Sequence, residues 1–169
     1  MIGSSSILPK TILLAGLAMW ISIAVLNNMT DMATNIFHLN NMFTMSLLKN
    51  QDMFAQGLKW RAIPVGIAPT ALYIIIAVQL IVSSALWVAA WKYLQILMSK
   101  SSTVGHTDRA SANLALSLFG GLWLTFLCGG LWFGYWMKQG AIQNVHFTLL
   151  LVTICSLIFI NLPEQIPEK

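Results

Sequence analysis

Long segments without any charged side chain dominate the hydrophobic pattern of this chain. Four of them stand out, at residues 11–26, 70–91, 114–137 and 145–160. An α-helix rises about 1.5 Å per residue, so about 20 residues cross the roughly 30 Å hydrocarbon core of a bilayer. The second and third segments are long enough alone, and the other two reach across with flanking polar residues. The pattern predicts one membrane domain, 1–169, with four transmembrane helices at about 9–30, 70–92, 111–137 and 144–162.

Apolar residues also recur between the first two predicted membrane helices. They follow one another at steps of three or four, at Met32, Ile36, Leu39, Phe43 and Leu47. This spacing predicts an amphipathic helix over about 33–48, and two later prolines, Pro64 and Pro69, bar a continuous helix. The predicted fold class is therefore all-α: a four-transmembrane-helix bundle with a long amphipathic external loop between helices 1 and 2.

Composition supports a membrane protein and excludes other classes. The 169 residues are 57% hydrophobic and only 8% charged, whereas soluble domains carry about 25% charged residues. The net charge of +4 comes from scattered basic residues without an aromatic-basic patch, so no nucleic-acid partner is expected. Cys128 and Cys155 both lie within apolar segments, which predicts buried packing residues rather than a disulfide framework.

Basic residues near the ends of the membrane segments indicate an orientation. Lys92, Lys100 and Arg109 fall in the connection between the second and third helices. Positive charges close to membrane ends favour the cytoplasmic side. We therefore expect both termini in the cytoplasm. The 33–48 segment would then lie on the external membrane surface or cover the outer end of the bundle.

A polar face follows the first membrane helix, and its members lie within about 80° of one another at about 100° per residue. They are Asn28, Asp31, Asn35 and His38. An ionised aspartate at membrane depth costs about 2.5–3.5 kcal/mol and needs a partner. Arg61, next to Trp60 on the same side, is the best candidate. We interpret this face as holding the external loop against the bundle. A ligand or ion site is one alternative, and plain interfacial solvation is another.

One amide lies where the second membrane helix has no water. Gln79 is near its middle, in the stretch YIIIAVQLIVSS. We expect it to face the bundle and to hydrogen-bond another helix, a bond worth about 0.6 kcal/mol on average in membrane proteins. An intramembrane polar residue is also a candidate binding site. A neutral glutamine cannot relay protons, so a structural role is the favoured interpretation.

Small residues line the third membrane helix. Ser117, Gly121, Thr125 and Gly129 follow one another at four-residue steps, with Cys128 beside Gly129. Gly130 and Gly134 form a G-x-x-x-G pattern. Small residues let helix backbones approach closely in lipid. This face is expected to pack within the bundle, and docking against another subunit is the alternative.

The sequence contains no catalytic or phosphate-binding motif, and no enzymatic activity is expected. Two M-x-x-M pairs around His38 (Met29 with Met32, and Met42 with Met45) contain ligands that Cu(I) prefers. The same methionines suit the apolar side of an interfacial helix, which is the favoured interpretation. His38 and His146 are both expected near the outer face, which leaves a paired haem or zinc site open.

Several stretches, in order, resemble a bacterial family of predicted small integral membrane proteins, domain-of-unknown-function family twenty-one sixty-five. They are LNNMTDMATNIFHLNNMFTM, LKWRAI, ALYIIIAVQL, LCGGLWFGYWMKQG and LIFINLPE, between Leu13 and about Glu164. The resemblance implies four membrane helices with a long loop after the first, a location in the bacterial inner (plasma) membrane, and no established activity.

Two positions depart from the family pattern. Family members carry Glu where this chain has Gln79 and again where it has Leu131, whereas Asn28, Asp31 and Asn35 match, as do Trp60 and Arg61. If the family uses those carboxylates for protons or cations, this member lacks that role. The absence of these two carboxylates therefore favours a structural or assembly role.

The leading functional expectation is a non-catalytic accessory or structural subunit of a larger inner-membrane complex, for example a respiratory one. Its partners would be other membrane subunits and lipids. The alternative is a small-solute or ion transporter that acts as a homo-oligomer. A third hypothesis is binding of a lipid or a quinone in a groove beside Trp132 and Trp136; no other cofactor is expected.

Overall fold

A computed structural model of the chain describes residues 6–49, 55–99, 101 and 103–163. All regular elements in this part of the chain are helical. In order they are α1 (Ile7–Thr30), α2 (Met32–Phe43), α3 (Ser46–Lys49), a 3-10 helix (Gln56–Arg61), α4 (Ala68–Met98), α5 (His106–Trp132) and α6 (Trp136–Asn161).

Four of these helices, α1, α4, α5 and α6, are long and apolar enough to cross a membrane. The predicted all-α membrane bundle is confirmed. In sequence order, α1 packs against α4, α4 against α5, and α5 against α6, whereas α1 and α6 touch little. We call the end that carries α2, α3 and the 3-10 helix the loop end. The opposite end, where Lys10 Nζ donates a hydrogen bond to the Leu162 carbonyl oxygen (2.8 Å), is the terminal end.

The apolar interior is divided into three clusters. The main core fills the terminal half and the middle of the bundle, and its fully buried members include Leu14, Ile21, Leu86 and Phe119. A second cluster joins α1, α4 and α2 at the loop end. A third packs the segment around Met45 against the end of α5. The last two clusters remain separate, and this separation leaves space between them at the loop end.

The predicted external helix over 33–48 is interrupted. The structure has two helices, α2 and α3, and Met45 between them has a positive φ of 51°. Met45 and Leu48 turn into the third apolar cluster, so the segment packs on the bundle. An interfacial helix with one continuous apolar face would not reach this cluster.

The membrane helices also differ from their predicted bounds. α4 continues to Met98, six residues past the predicted end at 92, because Tyr93 is fully buried and Ile96 packs on the main core. α5 begins at His106 rather than at 111. The charged connection between the two is therefore shorter than the sequence predicts.

The end of α5 at Trp132, rather than at 137, has a local cause. Gly134 adopts a left-handed φ of 64°. The Tyr135 amide donates to the Gly130 carbonyl (2.9 Å) and the Gly134 amide donates to that of Leu131 (3.3 Å). These are the two hydrogen bonds of a Schellman motif, in which glycine ends the helix. α6 can then begin at Trp136, eight residues earlier than predicted, with a non-helical residue at Gln139.

Candidate functional site

A cleft of about 590 Å³ opens between the α1–α4 pair and the α5–α6 pair at the loop end. It lies where the second and third apolar clusters fail to join, above the main core. All four membrane helices contribute to its wall, and α2 covers it. The volume falls within the range of about 300–1,000 Å³ that is typical of small-molecule pockets.

The α1–α4 wall of the cleft carries a pair of amides. Asn28 Nδ2 donates to Gln79 Oε1 at 2.7 Å, and both residues line the cleft. Gln79 is only 3% exposed, so this bond satisfies a carboxamide that has no water. Gln79 was expected to hydrogen-bond another helix, and it does so. Its partner, Asn28, belongs to the polar face predicted from the sequence.

The other members of that face separate, because a break at Asp31 divides α1 from α2. Asp31 has φ −125° and ψ 60°, and its Oδ1 accepts from the Thr34 amide at 3.4 Å, as the N-cap of α2. Asn35 Nδ2 donates to the Asp31 carbonyl oxygen at 3.1 Å. Asn35 and His38 line the cleft, whereas Asp31 is exposed and does not.

The predicted pairing of Asp31 with Arg61 is wrong. Arg61 Nη1 donates to the carbonyl oxygen of Trp132, the last residue of α5, at 3.0 Å. The guanidinium carbon lies 4.3 Å from the centre of the Trp132 ring, and Trp60 meets the same indole edge-on at 5.8 Å. A cation at a helix C-terminus is favoured by the helix dipole. Trp60 and Arg61 therefore attach the loop to α5, away from the polar face.

The opposite wall of the cleft, on α5 and α6, is aromatic. The Trp123 and His146 rings stack with centroids 5.6 Å apart and an interplanar angle of 21°, and Phe126 lies 5.0 Å from the same imidazole. Beside them, Gln143 Nε2 donates to the Leu127 carbonyl oxygen at 3.3 Å. Gly130 makes room for this amide, because a Cβ there would overlap it.

Four polar atoms of the lining residues are enclosed and have no hydrogen-bond partner: His38 Nδ1, Trp123 Nε1, Gln143 Oε1 and His146 Nδ1. Leaving such a group unpaired costs about 1–3 kcal/mol. Their concentration around one cleft is unusual, since buried polar groups are normally paired. A molecule in the cleft would recover part of this cost where one of these side chains turns so that its enclosed atom faces the cleft.

The described lining of the cleft contains two histidines and no side chain that carries a full charge at neutral pH. Among its described lining residues there is no Lys, Arg, Asp or Glu. Burial raises the pKa of Tyr135, between α5 and α6, to about 12. Within the described part of the chain, no group of three His, Cys, Asp or Glu side chains could hold a metal ion.

The methionines of the two M-x-x-M pairs lie in different surroundings. Met29 is exposed, Met32 packs in the second apolar cluster, and Met42 and Met45 pack in the third. Met32, Met42 and Met45 therefore act as apolar packing residues. His38 and His146, expected near the same end of the bundle, both line the cleft at the loop end.

Part of the small-residue face of α5 is exposed, and Thr125 and Gly129 on it line the cleft. Ser117, Gly121 and Thr125 are exposed, and nothing lies within 4 Å of a Cβ built at Gly121 or Gly129. The glycines that do pack include Gly120, against Thr153. The expectation that this face packs within the bundle is thus wrong for Ser117, Gly121 and Thr125. Gly130 and Gly134 do pack, and Gly134 also ends the helix. Cys128 and Cys155, expected to be buried, are also exposed.

Sequence reasoning missed Trp123 and Gln143 and left His146 unassigned. A weak signal existed for Trp123 and His146, which lie within apolar membrane segments, whereas Gln143 lies just before the fourth one. Their depth could be predicted, but their grouping depends on how α5 and α6 pair. Trp132 and Trp136, named for a lipid or quinone groove, do not line the cleft.

The four apolar helices define an α-helical integral membrane protein. Residues 6–163 match the family described as "Predicted small integral membrane protein (DUF2165)", and the chain belongs to this family. The resemblance found in the sequence is confirmed. Comparisons with curated proteins and with solved structures find no match.

Proposed function

We propose that this protein holds a membrane-dissolved amphipathic small molecule in the cleft, as a non-catalytic binding protein of the bacterial inner membrane. One observation carries the proposal: a cleft of about 590 Å³ is lined by apolar and aromatic side chains together with residues whose enclosed polar atoms have no partner. Pockets that combine a mostly apolar wall with a few polar groups are typical ligand sites. The apolar wall would hold a tail, and the polar atoms would orient a headgroup.

The position of the cleft supports a ligand that arrives from the bilayer. Its lining includes residues with exposed side chains, such as Trp20 on α1, Val145 on α6 and Thr125 on α5, so the cleft is open between the helices. A membrane-dissolved molecule could enter between helices without crossing the loop. The orientation stays as proposed from the basic residues, with both termini cytoplasmic and the cleft in the outer half of the bundle.

Two glycines of α5 provide a matched test. Gly129 lines the cleft and Gly121 does not, and at both positions a Cβ would meet nothing within 4 Å. Gly129→Phe should fill the cleft, whereas Gly121→Phe places the same ring on the outer surface. Mass spectrometry of molecules extracted from the purified proteins should find an amphiphile in the wild type and in Gly121→Phe, and not in Gly129→Phe. The same retained molecules in all three proteins would refute a site in the cleft.

A second candidate function, a subunit of a larger inner-membrane complex, is favoured by the exposed part of the small-residue face of α5. Ser117, Gly121 and Thr125 leave a shallow surface on which another helix could pack closely. Gentle extraction and intact-complex mass spectrometry should then find a stoichiometric membrane partner that Gly121→Phe removes. Only monomer or homo-oligomer from native membranes would argue against this role.

Transport, the alternative function, has less support from the packing. The cleft ends at the main core, where Leu14, Leu86 and Phe119 are fully buried and fill the bundle towards the terminal end. A solute would have to pass through this packed region. Solute flux into liposomes that Gly129→Phe abolishes would restore the transporter hypothesis.

A further inference from the structure

We infer that the cleft recognises an uncharged ring bearing carbonyl or hydroxyl groups and an apolar tail, the chemical class of the membrane-soluble quinones. This inference rests on the proposed binding function and specifies its ligand. Three properties of the cleft wall support this inference: its lack of charge, its aromatic residues and its hydrogen-bonding groups.

The charge of the wall argues against ionic headgroups. No Lys or Arg is among the described residues that line the cleft, so a phosphate would have no cation to neutralise it. There is likewise no carboxylate for an ammonium group. Burying an unpaired charge costs far more than burying a neutral polar group. A neutral headgroup is therefore favoured over those of anionic or zwitterionic lipids.

The shape of the wall favours a flat ring. Aromatic residues come from several helices: Trp20, Phe43, Trp123, Phe126, Phe133 and Tyr135. Some already pair with one another, as in the edge-on contact of Phe43 with Phe133 at 5.4 Å. Such walls suit a planar ligand, because aromatic rings attract one another in offset-stacked and edge-to-face arrangements.

The unpaired atoms specify the polar groups of the ligand. Trp123 Nε1 can only donate, it has no partner, and its side chain is only 4% exposed. Because this nitrogen is enclosed, a ring carbonyl would supply the missing acceptor once the indole turns towards the cleft. Gln143 Oε1 is an enclosed acceptor without a donor, and after a similar turn a ring hydroxyl would supply one. An oxidised ring and its reduced, hydroxyl-bearing form would each find a partner.

Calorimetric titration of the full chain in lipid nanodiscs can test this inference with three probes that share a decyl tail. They are a decyl-substituted 1,4-benzoquinone, decylbenzene and decyl phosphate, each titrated also into empty nanodiscs. We expect saturable binding of the quinone at one site per chain, and binding at least about tenfold weaker for the other two. Gly129→Phe should abolish quinone binding and Gly121→Phe should retain it. Trp123→Phe, which keeps a ring, should weaken it about fivefold through the lost donor.

Each other outcome has a defined meaning. Equal binding of the quinone and decylbenzene would overturn the inference, because the headgroup would not be recognised; this comparison needs no variant. Preference for decyl phosphate with the same sensitivity to Gly129→Phe would overturn the inference and leave the proposed binding function standing. No saturable binding of any probe, together with no extracted amphiphile, would overturn both.

Discussion

Asn28 and Gln79 share a hydrogen bond of 2.7 Å between α1 and α4, on the wall of the cleft. A second polar link joins the same two helices nearer the terminal end. There Ser22 Oγ lies 2.8 Å from Ser83 Oγ and accepts from Trp87 Nε1 at 3.0 Å. The α1–α4 pair is therefore held by polar bonds at two depths.

The first prediction concerns the bond between the two amides. Asn28→Leu leaves Gln79 without its partner in a site that is 3% exposed, so this single change should destabilise the protein. Replacing both by Leu removes the unpaired group and should cost less than the sum of the single changes. We expect a coupling energy of about 0.5–1.7 kcal/mol, measured as the free energy of unfolding by SDS in mixed micelles.

Gln95→Leu provides the control for that cycle. Gln95 lies on the same helix but is exposed, so its loss should change the free energy of unfolding little. Additive effects of the changes at Asn28 and Gln79 would contradict the hydrogen bond.

The second prediction concerns how the loop is attached. Arg61→Lys replaces the planar guanidinium above the Trp132 ring with a compact ammonium, and should cost about 1 kcal/mol. Asp31→Asn should change stability by only a few tenths of a kcal/mol, because both residues are good N-caps. The free energy of SDS unfolding measures both changes, and limited proteolysis should cut the loop faster only in Arg61→Lys. A clear energetic coupling between the two positions would indicate the ion pair that the structure does not show.

The sequence sufficed to predict the membrane helices because that signal is local and strong. Spans such as 70–91 contain no charged residue and match the thickness of a bilayer, whatever their neighbours are. Gln79 was assigned to the bundle interior for a similar reason, since an amide in lipid needs a partner. The structure adds the identity of that partner, Asn28.

The cleft could not be predicted, because it depends on which helices pack and where packing stops. His146 and Gln143 lie on one helix and Trp123 on another, and no spacing rule joins them. The ion pair expected between Asp31 and Arg61 failed for a local reason. The break at Asp31 turns this carboxylate to the N-terminus of α2, while the end of α5 offers Arg61 a carbonyl and an aromatic face.

The third prediction concerns the turn that ends α5. Gly134→Ala forces a side chain into a left-handed conformation with φ 64°, and its Cβ would lie 3.1 Å from Leu48 Cδ1. The strain should cost about 1–2 kcal/mol. Gly140→Ala is the control, since a Cβ there meets nothing within 4 Å and alanine favours the helix by up to about 1 kcal/mol. In detergent, the midpoint temperature of thermal unfolding should therefore be lower for Gly134→Ala than for the wild type. The midpoint for Gly140→Ala should not be lower. Equal midpoints would contradict the strained turn.

The fourth prediction follows from the raised pKa of Tyr135, about 12 against an ordinary value of about 10. Because the fold favours the neutral phenol, its contribution to stability is complete below about pH 10 and is lost as the pH rises towards 12. Subtracting the phenolate absorbance of Tyr135→Phe from that of the wild type cancels the other tyrosines. The difference should stay near zero through about pH 10 and rise with a midpoint near 12. A midpoint near 10 would mean that the phenol is solvated and that burial does not raise its pKa.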